Sequence, residues 1–268
     1  MVDRYAVIGN PVEHSKSPLI HAEFARQTGQ AMLYERILAP LGGFAGSLKQ
    51  FRLAGGRGVN VTVPFKEDAY HCATRRTPRA TLAQAVNTLK FEDDGSVLGD
   101  TTDGLGLVRD IVSNLGVNLR DQRILLMGAG GAARGVIGPL LDQAPASLML
   151  ANRSADRALA LCATFPIISA GAYADLAERS FDVVINATAS SLNNELPPLP
   201  DSVFAPGALA YDMMYGRDTL FMQFARAHGA GLVADGLGML VEQAAESFLL
   251  WRGLRPETEP VLKMFRTA

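Results

Sequence analysis

The sequence predicts an α/β protein with two domains. A glycine-rich turn joins an apolar strand to an alanine-rich helix between residues 123 and 141. The first hundred residues also alternate short apolar runs with segments of helical periodicity. The chain has 268 residues, of which 48% are hydrophobic and 19% charged, so it is long enough to form two globular cores.

The first predicted elements alternate strand and helix, which is typical of an α/β domain. Strands are predicted at residues 5–8, 33–38 and 58–63, and helices at 18–27 and 43–53. A polar loop at 11–18 follows the first strand, and ligands of open α/β sheets bind beyond the carboxyl ends of strands. Ser15 and Ser17 can therefore offer hydroxyls to a polar ligand. Alternatively, Ser17 caps the following helix, with Pro18 at its first position.

The segment 59–66 brings polar side chains to one face of a strand. Period-two alternation places Asn60 and Thr62 together, opposite three valines. Pro64 stops the strand and can open a helix, so Lys66 projects near the same point. This pattern predicts a polar site with a lysine available for acid/base work, whereas a solvated surface lysine is the simpler reading.

A predicted hairpin follows, with strands at 85–89 and 97–99. It leads to Asp103, which precedes a helical stretch at 105–115. Asp103 either caps that helix or is the carboxylate partner of Lys66. The spacing does not decide between these roles, because a hairpin separates the two residues.

The glycine-rich turn has the pattern of a dinucleotide-binding fold. A strand at 124–127 runs into Gly128 and Gly130, Ala133 is the small third residue, and a second apolar strand follows at 148–151. The first glycine makes the bend, the second lets backbone N–H groups approach a pyrophosphate, and the third residue lets helix pack on strand. We therefore predict a Rossmann-type domain, with an ordinary glycine-rich loop as the alternative.

The residues after the second strand of this unit indicate the cofactor. NAD-binding versions place a carboxylate there to bond the ribose 2′-hydroxyl, whereas NADP-binding versions offer cationic groups to the 2′-phosphate. This chain has Asn152, Arg153 and Ser154. A guanidinium without a neighbouring carboxylate predicts NADP, although an arginine at a helix start is also commonly just solvated.

Composition argues against several other classes. A net charge of −2 and the absence of basic runs with aromatics give no field for nucleic acid. No signal-peptide core or membrane span fits the sequence. Cys72 and Cys162 are far apart, and the four histidines are scattered without paired spacing. We expect reduced thiols, a cytoplasmic location, no metal and no membrane or nucleic-acid partner.

Nine motifs together resemble the shikimate dehydrogenase family, and they occur in register along essentially the whole chain. They are His-Ser-Lys-Ser-Pro at 14–18, Asn-Val-Thr-Val-Pro-Phe-Lys at 60–66, Ala-Val-Asn-Thr-Leu at 85–89, Asp-Thr-Thr-Asp-Gly at 100–104, Gly-Ala-Gly-Gly-Ala at 128–132, Asn-Arg-Ser at 152–154, Ile-Asn-Ala-Thr at 185–188, Tyr-Asp-Met at 211–213 and Asp-Gly-Leu-Gly-Met-Leu-Val at 235–241. The resemblance implies NADP-dependent interconversion of shikimate and 3-dehydroshikimate, on the way to aromatic amino acids.

The resemblance also implies roles for individual residues. The catalytic pair would be Lys66 and Asp103. Substrate hydroxyls and carboxylate would contact Ser15, Ser17, Asn60, Thr62, Asn87, Tyr215 and Gln243. NADP would contact Gly128, Ala129, Gly130, Gly131, Ala132, Asn152, Arg153, Ser154, Met213 and Gly236.

The family implies a substrate domain at 1–102 plus 236–268 and an NADP-binding domain at 103–235. The sequence agrees, because apolar residues between 237 and 249 form one helical stripe before Gly253 and Pro256. This stripe predicts a core-facing helix, with Gln243 facing elsewhere.

Three alternatives stay open at this point. A quinate dehydrogenase or a dual-substrate relative would keep nearly all these motifs. Glutamyl-tRNA reductase has a related cofactor domain but needs a nucleophilic cysteine, and Cys72 lies in no such motif. A non-catalytic nucleotide-sensing relative would have no need of both Lys66 and Asp103. The small-molecule substrate is the expected partner, and the chain is expected to be a monomer or a homodimer.

Overall fold

The computed structural model describes residues 2–190 and 194–266. The chain divides into two compact units, one formed by Met1–Gly106 with Leu240–Ala268 and the other by Leu107–Met239. The architecture is α/β, as the sequence predicts. The domain assignment at 102/103 and 235/236 stays a prediction, with limits a few residues from those of the two units.

The elements are numbered in chain order. The strands are β1 (Asp3–Gly9), β2 (Met32–Leu38), β3 (Gly56–Val61), β4 (Arg75–Arg76), β5 (Thr88–Phe91), β6 (Val97–Asp100), β7 (Arg123–Met127), β8 (Ser147–Ala151), β9 (Ser169–Gly171), β10 (Phe181–Asn186), β11 (Phe204–Asp212) and β12 (Leu232–Ala234). The helices are α1 (Ser17–Thr28), α2 (Phe44–Leu53), α3 (Lys66–Cys72), α4 (Pro78–Ala83), α5 (Asp103–Arg109), α6 (Gly131–Leu141), α7 (Ala155–Cys162), α8 (Leu220–Ala227), α9 (Leu237–Arg252) and α10 (Glu259–Arg266).

The first unit contains a mixed sheet with strand order β2-β1-β3-β5-β6-β4. β1 pairs in parallel with β2 and β3, whereas β5 pairs antiparallel with β3 and β6. Alternation along β1 sends Ala6 and Ile8 into a core shared with α2, while Tyr5 packs on Trp251 of α9. The sheet is therefore covered on both faces, which suits its parallel part.

The second unit contains a fully parallel sheet with order β12-β11-β10-β7-β8-β9. Read from the other edge, the order β9-β8-β7-β10-β11-β12 is that of a doubly wound fold. The order in which strands are added reverses at β7 and β10, which are neighbours in the sheet. Leu125 and Leu126 of β7 enter different cores on the two faces of the sheet, and both are fully buried. The crevice beyond β7 and β10 is where such a sheet binds ligands.

Three sequence predictions about element limits are wrong. The third strand ends at Val61 rather than 63, and Val63 is 40% exposed. The first hairpin strand begins at Thr88, because the Val86 amide bonds the Lys66 carbonyl instead of a neighbouring strand. The helix predicted at 105–115 begins at Asp103 and changes to a π turn over Asp110–Asn114.

That π turn holds a buried carboxylate. Asp110 accepts hydrogen bonds from the Tyr211 hydroxyl at 2.6 Å and from the Asn114 amide at 2.9 Å. The Tyr211 hydroxyl in turn accepts from the Met239 amide at 3.3 Å. Helix periodicity does not report such a bond, since its partner lies about a hundred residues along the chain.

Ser17 does not cap α1. Lys16 occupies the cap position, Ser17 is the first helical residue, and no side chain makes a capping hydrogen bond. The Ser17 amide instead donates to the Ser15 hydroxyl oxygen at 3.3 Å. The alternative role considered for Ser17 in the sequence is therefore not the one observed.

Described residues hold no cluster of three or more His, Cys, Asp or Glu side chains that could bind a metal. Within that same part of the chain, every helix is too short or too polar to cross a lipid bilayer. Cys72 and Cys162 are both free thiols.

His21 on α1 is a buried titratable side chain of the first unit. It is fully buried against the rings of Phe24, Tyr34, Phe248 and Trp251, and neither ring nitrogen has a hydrogen-bond partner within the described residues. Burial lowers the pKa of His21 to about 3, against a smaller opposing effect of the Asn60 side chain. The folded state therefore keeps this ring neutral at pH values where the unfolded chain is protonated.

We expect the folded protein to lose stability as the pH falls below the unfolded histidine pKa. Between about pH 6.5 and pH 3, His21 should lower the free energy of unfolding by about 1.4 kcal/mol for each pH unit of acidification, because only the unfolded state takes up the proton. His21→Phe, which keeps the packing, should remove this dependence in urea unfolding followed over that range. His71→Gln, at an exposed position, is the control. Parallel pH profiles for wild type and His21→Phe would contradict the expectation.

Candidate active site

The polar residues of the first unit collect at the carboxyl ends of β1 and β3. The two strands are parallel neighbours, with Ile8 opposite Val61. Beyond the strand ends, the Thr62 amide donates to the Ile8 carbonyl at 2.9 Å, and the Asn10 amide donates to the Val63 carbonyl at 3.0 Å. The loop that carries Ser15 and the turn that leads to Lys66 therefore leave the same edge of the sheet.

Lys66 and Asp103 form a close ion pair. They are the first residues of α3 and α5, respectively. Lys66 Nζ lies 2.6 Å from Asp103 Oδ2, and the two side chains are only 13% and 8% exposed. At this distance the ammonium donates a charge-assisted hydrogen bond to the carboxylate. The structure brings together the two residues predicted as catalytic, and their chemical role stays a prediction.

Asn87 fixes the second oxygen of Asp103. Its Nδ2 lies 3.0 Å from Asp103 Oδ1 and 2.9 Å from Thr102 Oγ1, while its Oδ1 accepts from the Thr102 amide at 2.8 Å. Gln243 on α9 joins this network, with its Oε1 at 3.2 Å from Asn87 Nδ2. Gln243 Nε2 donates to the Leu240 carbonyl at 2.8 Å. The network holds the Asp103 carboxylate in one orientation.

Asn60 of β3 is bonded to protein groups through both ends of its side-chain amide. Its side chain is buried, and its Oδ1 accepts from the Tyr34 hydroxyl at 2.7 Å. Its Nδ2 donates to Ser247 Oγ at 2.9 Å and to Thr88 Oγ1 at 3.1 Å. Both amide atoms are thus bonded to protein groups, which suits a residue that orders the site. Thr62 is half-buried just past the end of β3.

Ser15 lies in the loop between β1 and α1, and Ser17 is the first residue of α1. Ser15 is half-buried and Ser17 is buried. The loop is tied at the Ser15 carbonyl by the guanidinium of Arg36. Both serines therefore lie at the same sheet edge as Lys66, one on an ordered loop and one at the start of α1.

The glycine-rich turn of the second unit has the geometry of a phosphate cradle. Gly128 has a φ of +113°, and a Cβ there would lie 3.0 Å from the Ala187 carbonyl oxygen. Helix α6 begins at Gly131, and its first backbone bond runs from the Arg134 amide to the Gly130 carbonyl at 3.0 Å. The amides between Ala129 and Ala132 therefore face the turn, where helix-terminal N–H groups attract an anion. This donor set fits a pyrophosphate.

The residues after β8 fit a phosphate monoester. Arg153 is exposed, and no hydrogen bond or ion pair of its guanidinium occurs within the described residues. Burial raises the pKa of Tyr173 to about 12, and the positive charge of Arg153 opposes this rise. Asn152 donates to the Ser154 carbonyl at 2.9 Å, and Ser154 occupies the cap position of α7 without a side-chain cap bond. An exposed cation on an ordered turn suits the 2′-phosphate of NADP.

Met213 and Gly236 lie in contact. The Gly236 amide donates to the Met214 carbonyl at 2.9 Å, and a Cβ on Gly236 would lie 2.3 Å from the Met213 carbonyl oxygen. Only glycine allows this approach. The Met213 amide bonds the Asn186 carbonyl at 3.0 Å, so Met213 lies at the carboxyl end of β10. Tyr215 follows two residues later and is half-buried.

The sequence analysis missed four polar residues of the first unit: Tyr34, Thr88, Thr102 and Ser247. Thr88 and Ser247 lie 2.8 Å apart between their hydroxyl oxygens, and both contact Asn60. Thr102 belongs to the quoted motif at 100–104, so its neighbours already pointed to it. Ser247 follows Gln243 by four residues and therefore shares its helix face.

Three family models match the chain. They are described as the shikimate dehydrogenase substrate binding domain, over residues 7–89, shikimate / quinate 5-dehydrogenase, over 108–194, and the shikimate 5′-dehydrogenase C-terminal domain, over 236–263. Each unit is matched in part by these models.

Curated relatives are similar over the full length. The NADP(+)-dependent shikimate dehydrogenase of Aromatoleum aromaticum is 62% identical and covers 99% of this chain and 97% of its own. The protein of the same name from Nitrosospira multiformis is 60% identical and covers 100% of this chain and 98% of its own.

Solved structures agree with this result. Shikimate 5-dehydrogenase from Thermus thermophilus, in complex with NADP(H) and shikimate, is 34% identical with a TM-score of 0.87, and the alignment covers 100% of this chain and 99% of that one. Shikimate dehydrogenase from Aquifex aeolicus is 30% identical with a TM-score of 0.87 and coverages of 98% and 97%. A 5-ketofructose reductase from Gluconobacter, at 22% identity and a TM-score of 0.83, shares the fold alone.

Proposed function

The chain belongs to the shikimate dehydrogenase family, and from that premise we propose that it interconverts shikimate and 3-dehydroshikimate with NADP, on the way to aromatic amino acids. The observation that carries the proposal is the Lys66–Asp103 pair, with 2.6 Å between nitrogen and oxygen, at a sheet edge lined by neutral hydrogen-bonding groups. Oxidation of an alcohol needs a group that takes up the hydroxyl proton, and this pair supplies one.

The chain's own residues handle the proton. NADP supplies the hydride acceptor in oxidation and the hydride donor in reduction. As the alcohol carbon gives up hydride, the Lys66–Asp103 pair takes the hydroxyl proton, and in reduction it returns that proton to the carbonyl oxygen. Asn87 keeps Asp103 in place through the bond to Oδ1. Because the pair is largely buried, its charges interact more strongly than they would in water.

Neutral groups bind the rest of the substrate in this proposal. Ser15, Ser17, Thr62, Asn87 and Gln243 of the first unit offer hydroxyl and amide groups at one sheet edge, and Tyr215 of the second unit is proposed as a further contact. Asn60 is likewise proposed as a substrate contact, and its side-chain amide also bonds Tyr34 and Ser247. Its Nδ2 also donates to Thr88 Oγ1.

NADP would be held by the second unit. The amides of Ala129, Gly130, Gly131 and Ala132 would bind the pyrophosphate, with Gly128 providing the bend. Asn152, Arg153 and Ser154 would bind the 2′-phosphate end. Met213 and Gly236, which are in contact, would lie beside the nicotinamide. The first unit is accordingly proposed as the substrate domain and the second as the cofactor domain.

The proposal extends to the surroundings of the enzyme. The two free cysteines support a cytoplasmic location, where thiols stay reduced. We propose a monomer or a homodimer that has no nucleic-acid partner, in line with the net charge of −2.

Quinate is a specific second candidate substrate. One of the matching family models is described as shikimate / quinate 5-dehydrogenase. Quinate is also a hydroxylated cyclic carboxylic acid, so the same proton chemistry serves it. Turnover of both acids at comparable specificity constants would identify a dual-substrate enzyme.

The deciding experiment is the appearance of reduced nicotinamide absorbance when the protein, NADP and shikimate are mixed. We expect turnover with NADP and shikimate, and slower turnover with NAD or quinate. Binding of NADP without turnover of either acid would favour a nucleotide-sensing relative and contradict the proposal.

A further inference from the structure

Arg36 on β2 bonds the loop that carries Ser15 and leads into Ser17, the first residue of α1. Its Nε and Nη2 both donate to the Ser15 carbonyl oxygen, at 3.0 and 2.6 Å. These are the hydrogen bonds that the guanidinium makes within residues 2–190 and 194–266, and its side chain is otherwise exposed. A planar guanidinium with two N–H groups on one oxygen fixes that oxygen in direction as well as distance.

Further contacts order the same loop. The Ser15 amide donates to the Val12 carbonyl at 3.1 Å, so both sides of Ser15 are bonded. The Ser15 hydroxyl oxygen accepts from the Ser17 amide at 3.3 Å. The Lys16 ammonium lies 4.7 Å from the centre of the Phe265 ring of α10. The Ser15 hydroxyl is therefore presented by a loop whose backbone Arg36 holds in place, directly before Ser17 at the start of α1.

The charges of the first unit indicate which part of the substrate this loop receives. Lys66 is already matched by Asp103 at 2.6 Å, and the Asp103 carboxylate repels a second carboxylate placed close to it. The loop between β1 and α1 carries one acid, Glu13, whose carboxylate accepts from the Val12 amide, and two cations, Lys16 on the loop and Arg36 bonded to it, give it positive charge. An acidic substrate is thus oriented with its carboxylate toward the loop and its alcohol toward Lys66.

We infer that Arg36 is a positioning residue for recognition of the substrate carboxylate. It holds the Ser15 carbonyl, so that the Ser15 and Ser17 hydroxyls meet the carboxylate, and its charge favours an anion at that loop. This inference rests on the proposed function, because it takes the substrate to be a hydroxylated carboxylic acid.

The test compares Arg36→Met and Arg36→Lys with wild type on two substrates, shikimate and its uncharged methyl ester. Arg52→Met is the matched control, since Arg52 also donates to a backbone carbonyl, that of Gly95 at 2.6 Å, in the same unit. The measurements are kcat and KM with each substrate, and shikimate binding by calorimetry without cofactor.

We expect Arg36→Met to raise KM for shikimate about ten-fold, with kcat changed by less than about two-fold, as for a lost hydrogen bond to a charged group. KM for the methyl ester should change by less than about two-fold, because its neutral carbonyl is bound more weakly in either protein. KM for shikimate in Arg36→Lys should lie between those of wild type and Arg36→Met, since lysine keeps the positive charge but lacks the two parallel N–H donors of a guanidinium. Arg52→Met should match wild type.

Two results would overturn the inference while leaving the proposed function in place. One is an unchanged KM for shikimate in both Arg36 variants. The other is an equal rise for acid and ester, which is what simple disorder of the loop would produce. If wild type neither binds nor oxidises shikimate, the proposed function and this inference fall together.

Discussion

Lys66→Ala should nearly abolish turnover while leaving substrate and cofactor binding largely intact. General acid/base groups contribute about 10²- to 10⁴-fold, so kcat should fall by that factor, or about 3 to 5 kcal/mol in the activation barrier. The physical reason is that Lys66 is half of the pair that exchanges the hydroxyl proton, with Asp103 Oδ2 at 2.6 Å. Binding should weaken much less, because the proposed substrate contacts in the first unit are mostly neutral side chains on other elements.

The measurement is steady-state kinetics with shikimate and NADP, together with calorimetric binding of each. Lys49→Ala is a suitable control, since Lys49 is an exposed lysine on α2 in the same unit. If Lys66→Ala keeps its turnover number and only KM rises, Lys66 is a binding residue rather than an acid/base group.

Asp103→Asn then separates the two members of the pair. Asparagine keeps the shape of the side chain but removes its charge, so the hydrogen bonds around Asn87 must rearrange. If Asp103→Asn loses turnover while Lys66→Ala does not, the formal base is Asp103.

Arg153→Ala should lower the specificity constant for NADP about 10- to 150-fold and leave that for NAD nearly unchanged. One charge-assisted contact to a phosphate is worth about 1.5 to 3 kcal/mol. The guanidinium is exposed at the end of β8. It makes no ion pair within the described residues, so its removal leaves no buried partner unsatisfied. The variant should therefore fold normally.

Selectivity is measured as the ratio of specificity constants for NADP and NAD, together with the dissociation constant of each cofactor. Arg123→Ala provides the control, because Arg123 is a similarly exposed arginine at the opposite end of the strands, paired with Asp182. Equal losses of the specificity constant with NADP and NAD would show that Arg153 does not contact the 2′-phosphate.

The sequence by itself determined which segments form strands, turns and helices and which polar residues each of them carries. The strand, glycine turn and helix around Gly128 are local features, since each follows from residue type within about twenty positions, and the structure has them where the sequence predicts them. The predicted limits of elements differ from the observed ones where a side chain or a backbone group is bonded to a partner far along the chain. The π turn at Asp110, bonded to Tyr211, is such a case.

Only the tertiary structure decided which polar residues meet. Lys66 and Asp103 are separated by a hairpin, and no periodicity reports that the starts of α3 and α5 lie together. Asn60 takes its hydrogen-bond partners from Tyr34 and from Ser247, which is 187 residues away, so the strand pattern cannot predict them. The physical reason is that hydrophobic patterning acts locally along the chain, whereas buried polar groups must find partners wherever the folded topology brings donors and acceptors together.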